Sequence, residues 1–226
     1  MKTPKSDRDS LKFLIGASVL TLIIWSIPLA FMLVYPLRLF VTFIHEGGHA
    51  IAALLSFGSV ERIVIFADAS GATYTRGGFQ LVVASAGYLA STAYGASLLV
   101  LCRDGSRAKA VLTVTAAMIL ALTGLYASDP FSWFTGIILS IGLILIAIAA
   151  SVRVAHFFLS FLAVQCCLNA LFDLRTLFLI SATTNTHSDA YTMQQMTLIP
   201  AIIWAALWLV ISIMALVFAL RSHTAR

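Results

Sequence analysis

The sequence is poor in charge. Only 10% of its 226 residues are charged, whereas 61% are hydrophobic, and the mean hydropathy is +1.00. Soluble domains carry about 25% charged residues, so a water-soluble fold could not cover its surface with this chain. No polar stretch is long enough to build a nucleic-acid-binding module. The composition therefore excludes both classes and predicts an integral membrane protein.

Cysteine and histidine are also scarce. Cys166 and Cys167 are adjacent in an apolar run and Cys102 lies at the end of another, so no disulfide framework is predicted. The chain has five histidines, of which His187 and His223 fall in a predicted loop and tail. Di-iron membrane hydroxylases and desaturases need many histidines, so this scarcity argues against that class of enzyme.

Apolar runs make up most of the chain. A helix needs about 20 apolar residues to cross a bilayer, and seven runs approach or exceed that length, at about 12–35, 37–57, 79–101, 109–127, 131–150, 153–180 and 196–220. Pro36 is expected to separate the first two, since proline removes a helix hydrogen bond. The predicted fold class is an all-α polytopic membrane protein, a bundle of about six to seven transmembrane helices in one domain, 1–226, with terminal tails at 1–11 and 221–226.

The net charge of +5 comes mostly from the chain ends and short loops. Four cations, Lys2, Lys5, Arg8 and Lys12, precede the first span. By the positive-inside rule they predict a cytoplasmic N-terminus in the cell (inner) membrane, with the lipid bilayer and not nucleic acid as the partner of these charges. The sequence predicts no oligomeric state.

Residues 60–78 have a different pattern from the rest of the chain. The segment 60–66 is β-branched and partly alternating, and 72–75 is similar after the turn residues 68–71. Two short runs of this kind around a glycine-containing turn predict a β-hairpin. We expect it to be a short membrane-associated hairpin that follows the second helix.

The second predicted helix contains the motif His45-Glu46-Gly47-Gly48-His49. Residues four apart lie on one face of a helix, so His45 and His49 can hold one zinc ion. Glu46 can then take a proton from a zinc-activated water without ligating the metal. Such polar groups are costly in hydrocarbon and indicate function. The alternative is a histidine–glutamate cluster that pairs internally and joins helices.

Zinc catalysis needs a third protein ligand, and a later apolar run carries Asn169 and Asp173 on one face. Asp173 is predicted as the third zinc ligand, and Asn169 as a hydrogen-bonding group for a substrate carbonyl. Two alternatives stay open. Asp173 could instead form a buried ion pair with Arg153 or Arg175, and Cys166 could be the ligand.

Four features together resemble the site-2 protease family of intramembrane zinc metallopeptidases, especially its compact B-type-like branch. They are the HEGGHA segment at 45–50, the hairpin after it, the later helix with Asn169 and Asp173, and the trailing Ser188-Asp189-Ala190. The resemblance covers about residues 37–215. It departs from the family in the second motif, which lacks the usual prolines before the aspartate and the glycine after it.

The resemblance implies that His45, His49 and Asp173 ligate zinc and that Glu46 is the general base. It also implies that the chain hydrolyses peptide bonds of membrane-anchored proteins, with the hairpin engaging the substrate. An extended substrate could add a strand at the hairpin edge and so expose its backbone. The competing class is a non-proteolytic transporter, channel or scaffold with a structural or vestigial metal site.

Overall fold

The structure is a computed structural model that describes residues 4–26, 31–183 and 188–224. Lys2 and His187, which the sequence analysis names, lie outside the described residues. The elements in chain order are α1 Pro4–Ser26, α2 Phe31–Leu55, β1 Ser59–Ile65, β2 Gly71–Arg76, α3 Gln80–Leu101, α4 Ala108–Tyr126, α5 Pro130–Ala149, α6 Val152–Thr183, α7 Asp189–Thr197 and α8 Ala201–Thr224.

Within the described residues, five helices are long and apolar enough to cross a membrane: α3, α4, α5, α6 and α8. The chain is therefore a helical multi-pass membrane protein, and the predicted count of six to seven spans is not confirmed. Much of the predicted N-terminal tail, 1–11, is helical from Pro4, and the predicted C-terminal tail, 221–226, is helical as far as Thr224.

Two predicted boundaries are wrong. Pro36 does not end a helix, because α2 begins at Phe31 and continues through it. A proline in the second turn removes only one N–H from the hydrogen-bond ladder, and the packing of α2 outweighs that loss. The predicted span 196–220 begins instead with the end of α7, since Leu198 takes a left-handed conformation (φ 61°) and Pro200 precedes α8.

Helix α5 shows why these helices belong in lipid. Its large apolar side chains are exposed along one face, and its buried face consists mostly of small and hydroxyl residues. The exposed set is Phe134, Ile138, Ile141, Leu145 and Ile148. A soluble helix would bury such a face, whereas membrane helices pack through small residues and turn large apolar ones to the acyl chains.

The two strands form one antiparallel sheet between α2 and α3. In its register, Ile63 of β1 faces Thr73 of β2 and Ile65 faces Gly71. Both isoleucines are buried, and the Ile65 N–H donates to the hydroxyl of Ser132 at the start of α5 (2.7 Å). This contact attaches the hairpin to the helix bundle and places β2 alongside α2.

Helices α2 and α3 cross at very short range. A Cβ on Gly48 would lie 2.6 Å from the Ala90 Cβ and 2.8 Å from the Ala86 carbonyl oxygen. Gly48 of the HEGGH motif thus allows α3 to approach α2 closely. Helix α3 also packs against α6, α7 and α8. It therefore connects the helix that carries the two histidines with the later helices of the bundle.

Candidate metal centre

The two histidines of α2 meet a carboxylate from the far end of the chain. The Nε2 atoms of His45 and His49 lie 3.1 Å apart. The Asp189 Oδ2 atom lies 3.2 Å from the first and 3.3 Å from the second. One donor atom from each residue therefore converges on a single point, so these three could hold a metal ion.

The spacing of the three donor atoms fits a tetrahedral metal. Two ligands bonded at the zinc–nitrogen and zinc–oxygen lengths of about 2.0–2.1 Å are about 3.3 Å apart across a tetrahedral angle. The three observed separations, 3.1, 3.2 and 3.3 Å, lie close to that value. The site therefore matches an ion of this size.

Gly87 of α3 lies directly against the Nε2 atoms of both rings. A Cβ on this residue would lie 2.3 Å from the His45 Nε2 and 2.4 Å from the His49 Nε2. Any side chain here would press on both ligand atoms at once. The glycine is thus required by the close approach of α3 to the metal-binding edge of the two rings.

Contacts behind the rings orient them. The His49 Nδ1 lies 2.7 Å from the Val83 carbonyl oxygen, which can only accept a hydrogen bond, so Nδ1 carries a proton and the Nε2 edge of the ring is turned towards His45 and Asp189. The His45 ring packs edge-on against Tyr88, with ring centroids 4.7 Å apart. Tyr88 in turn stacks on the buried Trp208 at 5.7 Å. Both imidazoles are therefore held in place before any ion binds.

Helix α7 delivers Asp189. The aspartate is the first residue of α7, and Ser188 caps the helix by accepting from the Tyr191 N–H. Ala190 and Met193 are buried against Trp208 and the apolar side chains of α6. Burial raises the pKa of the Asp189 carboxyl, but His49 and His45 outweigh it and hold that pKa well below its usual value. The group is thus a carboxylate, the form that ligates a metal.

Glu46 lies beside the cluster without belonging to it. Its side chain is buried, and its Oε2 accepts a hydrogen bond from the Thr73 hydroxyl of β2 at 2.7 Å. A cavity of about 790 Å³ contains Glu46 together with the three donor residues. Its walls come from α2, β2, the start of α3, the second half of α6 and α7.

The predicted third ligand, Asp173, is not in the cluster. It lines the same cavity from α6, while the carboxylate that meets both rings is that of Asp189. Among the described residues, neither Arg153 nor Arg175 forms an ion pair with Asp173. The ligand role of Asp173 stays a prediction, and the acid that lies beside both rings is 16 positions later in the sequence.

The two other predicted residues of α6 face away from the cavity. The Asn169 side-chain amide donates to the Gln165 carbonyl one turn earlier (3.0 Å), and Asn169 does not line the cavity. Cys166 is buried where α6 meets Gly95 of α3. Asn169 thus bonds the backbone of its own helix and Cys166 lies in the contact between α6 and α3, which the four-residue spacing from Asn169 to Asp173 could not reveal.

Asp189 was singled out in the sequence only as part of the trailing Ser188-Asp189-Ala190 and not as a ligand, because candidate ligands were sought among acids deep in apolar runs. This residue follows a polar stretch and opens a helix of nine residues, too short to cross a bilayer. One signal was present. A serine followed by an acid at a helix start, in a chain with only nine acidic residues, marks a carboxylate near an apolar helix.

A protein-family model matches most of the chain. Its description is "Peptidase M50B-like", and it covers residues 14–219. That range includes both motif histidines, Glu46 and Asp189. No curated protein and no solved structure matches the chain.

Proposed function

Because the chain belongs to the peptidase M50B-like group of the site-2 protease family, we propose that it is an intramembrane zinc metalloprotease. Its substrates in this proposal are membrane-anchored proteins, whose peptide bonds it hydrolyses. The observation that carries the proposal is the meeting of His45, His49 and Asp189 beside Glu46 in one cavity.

We assign the third ligand to Asp189 in place of Asp173. Two imidazole nitrogens and one carboxylate oxygen form a donor set that zinc accepts, and they leave a coordination position open for catalysis. When bound, zinc would supply the Lewis acidity that polarises a scissile carbonyl and makes water a better nucleophile. The lack of a side chain at Gly87 and the separations of the donor atoms support this assignment.

Glu46 is the general base of the proposed reaction. Its carboxylate is adjacent in sequence to a ligand but is not itself a member of the donor cluster, so it is free to move protons. It accepts the proton of the attacking water and then delivers it to the nitrogen of the leaving amine. The Glu46 side chain is buried, so bulk water has little access to its carboxylate.

The substrate needs to be extended where it is cut, because a transmembrane helix uses its amides in internal hydrogen bonds. Strand β2 lines the cavity and, within the described residues, pairs with β1 alone. Its second edge can therefore accept a strand of substrate beside Glu46. This edge takes over the backbone-binding role that the sequence analysis gave to Asn169, which lies outside the cavity.

The cellular setting is also part of the proposal. The basic residues at the N-terminus, including Lys5, Arg8 and Lys12, favour a cytoplasmic start in the cell (inner) membrane. Five apolar helices would then hold the cavity within or near the hydrocarbon layer.

A direct test uses the purified chain in lipid vesicles with a panel of tagged single-span proteins. Wild type should bind about one zinc per chain and cleave at least one substrate. Glu46→Gln should keep the zinc but lower cleavage by about 100-fold or more, since it removes the general base. His45→Ala should lose both zinc and cleavage.

Two outcomes would contradict the proposal. Cleavage that Glu46→Gln does not diminish would remove Glu46 from the reaction, and zinc that survives His45→Ala would remove the motif from the metal site. Zinc binding without cleavage of any substrate would favour the non-proteolytic transporter, channel or scaffold.

A further inference from the structure

Thr73 on β2 touches the general base of the proposed reaction. Its hydroxyl oxygen lies 2.7 Å from the Glu46 Oε2 and 3.0 Å from the Glu46 carbonyl oxygen. We propose that Thr73 is a positioning residue, whose hydroxyl holds the Glu46 carboxylate in the orientation that proton transfer requires. This inference rests on the proposed function and deepens it, because it gives the hairpin a role in the chemistry itself.

The contact leaves one carboxylate oxygen for the reaction. Thr73 occupies Oε2, whereas Oε1 has no hydrogen bond to a protein group among the described residues. Gly71 lies next to Oε1, and a Cβ there would come within 2.7 Å of both Oε1 and the Glu46 Cγ. A side chain on Gly71 would therefore crowd the oxygen that is left to accept a proton.

The hairpin that carries Thr73 is attached on both sides. Towards α2, the Thr42 hydroxyl donates to the Ala69 carbonyl oxygen in the hairpin turn (2.7 Å), and the Tyr35 hydroxyl donates to the Ala67 carbonyl oxygen (2.7 Å). Towards α5, the Ile65 N–H donates to Ser132. These contacts hold β2 at a set distance from Glu46, so the hydroxyl of Thr73 is preorganised.

Two substitutions of Thr73 can distinguish a role of its hydroxyl group from a role of its side chain in packing the strand. Valine has nearly the shape of threonine and the same β-branched preference for strands, but it has no hydroxyl. Serine has the hydroxyl but lacks the methyl group. If the hydrogen bond matters, Thr73→Val is impaired and Thr73→Ser is rescued; if packing matters, the order is reversed.

The kinetic experiment compares these variants with a matched control. Thr113→Val makes the same change at an exposed position of α4, where the hydroxyl bonds only the Lys109 carbonyl one turn earlier. With a cleaved single-span substrate, Thr73→Val should lower kcat by about 10–100-fold with KM and zinc content close to wild type. Thr73→Ser should recover most of the loss, and Thr113→Val should match wild type.

A second readout needs no activity. The chain has only two glutamates, Glu46 and Glu61. Protein labelled with ¹³C at the glutamate carboxyl should therefore give two side-chain signals, which Glu46→Gln assigns. Thr73→Val should move the Glu46 signal and leave that of Glu61 unchanged, since Glu61 pairs with Arg76 on the hairpin (2.9 Å).

The outcomes distinguish the two proposals. Full kcat in Thr73→Val, a Thr73→Ser variant as slow as Thr73→Val, or an unmoved Glu46 carboxyl signal would each overturn the positioning role. Failure of the proposed function would look different, because wild type and Glu46→Gln would then be equally inactive on every substrate.

Discussion

Two buried histidine sites can be compared in this molecule. His156 of α6 lies among α1, the end of α3 and the turn before α4, where its Nε2 contacts the Cys102 carbonyl oxygen and, at 3.3 Å, the Ser10 hydroxyl. The edge of the Phe13 ring packs against it at 4.9 Å. At the metal centre, by contrast, the Nε2 atoms of His45 and His49 face each other and the Asp189 carboxylate.

The difference lies in what the ring nitrogens face. At His156 the Nε2–H donates to a backbone carbonyl oxygen, which is a structural contact. At His49 the Nδ1–H donates to the Val83 carbonyl oxygen, and Nε2 faces a second ring nitrogen and a carboxylate. These three atoms are of the types that ligate metal ions and lie close enough together to hold one. A buried histidine is thus a ligand candidate when one ring nitrogen is held by the backbone and the other meets further ligand atoms.

The largest effect on zinc binding should distinguish Asp189 from Asp173, the two aspartates that line the cavity. Asp189→Asn removes the anion that meets both rings and should weaken zinc binding more than about 100-fold, beyond the 10–100-fold typical of an outer contact. Asp173→Asn makes the same change at the other acid that lines the cavity and should retain about one zinc per chain. Metal analysis and chelator competition measure both. Equal zinc content in the two variants would contradict the assignment of Asp189.

A smaller effect is expected at the glycine of α3. Gly87→Ala places a methyl group against both Nε2 atoms, which should displace them and weaken zinc binding by about tenfold or more. Gly142→Ala on α5 is the matched control, because nothing lies within 4 Å of a Cβ there. Zinc affinity should fall in the first variant and not in the second; an unchanged affinity in Gly87→Ala would show that the ion sits elsewhere.

The smallest effect on zinc binding should be at the structural histidine. His156→Ala leaves the Cys102 carbonyl without its partner and should lower the free energy of unfolding by about 1–3 kcal/mol. Zinc content should not change. Thermal unfolding in detergent, followed with metal analysis, checks both statements. Loss of zinc with unaltered stability would reverse the distinction between the two histidine sites.

Features that depend on near neighbours were accessible to prediction. The four-residue spacing places His45 and His49 together because helix periodicity puts such pairs on one face. The two strands begin and end within a few residues of the predicted β-branched runs. Strand preference and the turn between the strands depend on side chains only a few positions apart, so the sequence could indicate both. The multi-pass membrane class follows from long apolar runs, since bilayer thickness sets the length of a spanning helix.

Features that depend on distant packing were not accessible. Pro36 was expected to break a helix, and α2 passes through it because contacts along the whole helix outweigh one lost hydrogen bond. Asn169 looked like a partner of Asp173, but its amide bonds the α6 backbone. A residue's face can be read from periodicity, whereas the neighbour that this face meets cannot.

The order of residues along the chain was therefore enough to specify a lipid-embedded helical protein, a histidine pair with Glu46 beside it, and a hairpin downstream. The fold decided which carboxylate meets the two rings. Asp173 and Asp189 are both acids near apolar helices, and local spacing does not distinguish them. The burial of Ala190 and Met193 against Trp208 turns α7 towards α2, so its first carboxylate reaches the two rings. His45 and Asp189 are 144 residues apart in the sequence. They meet only because of how the helices pack, and no short stretch of sequence encodes that packing.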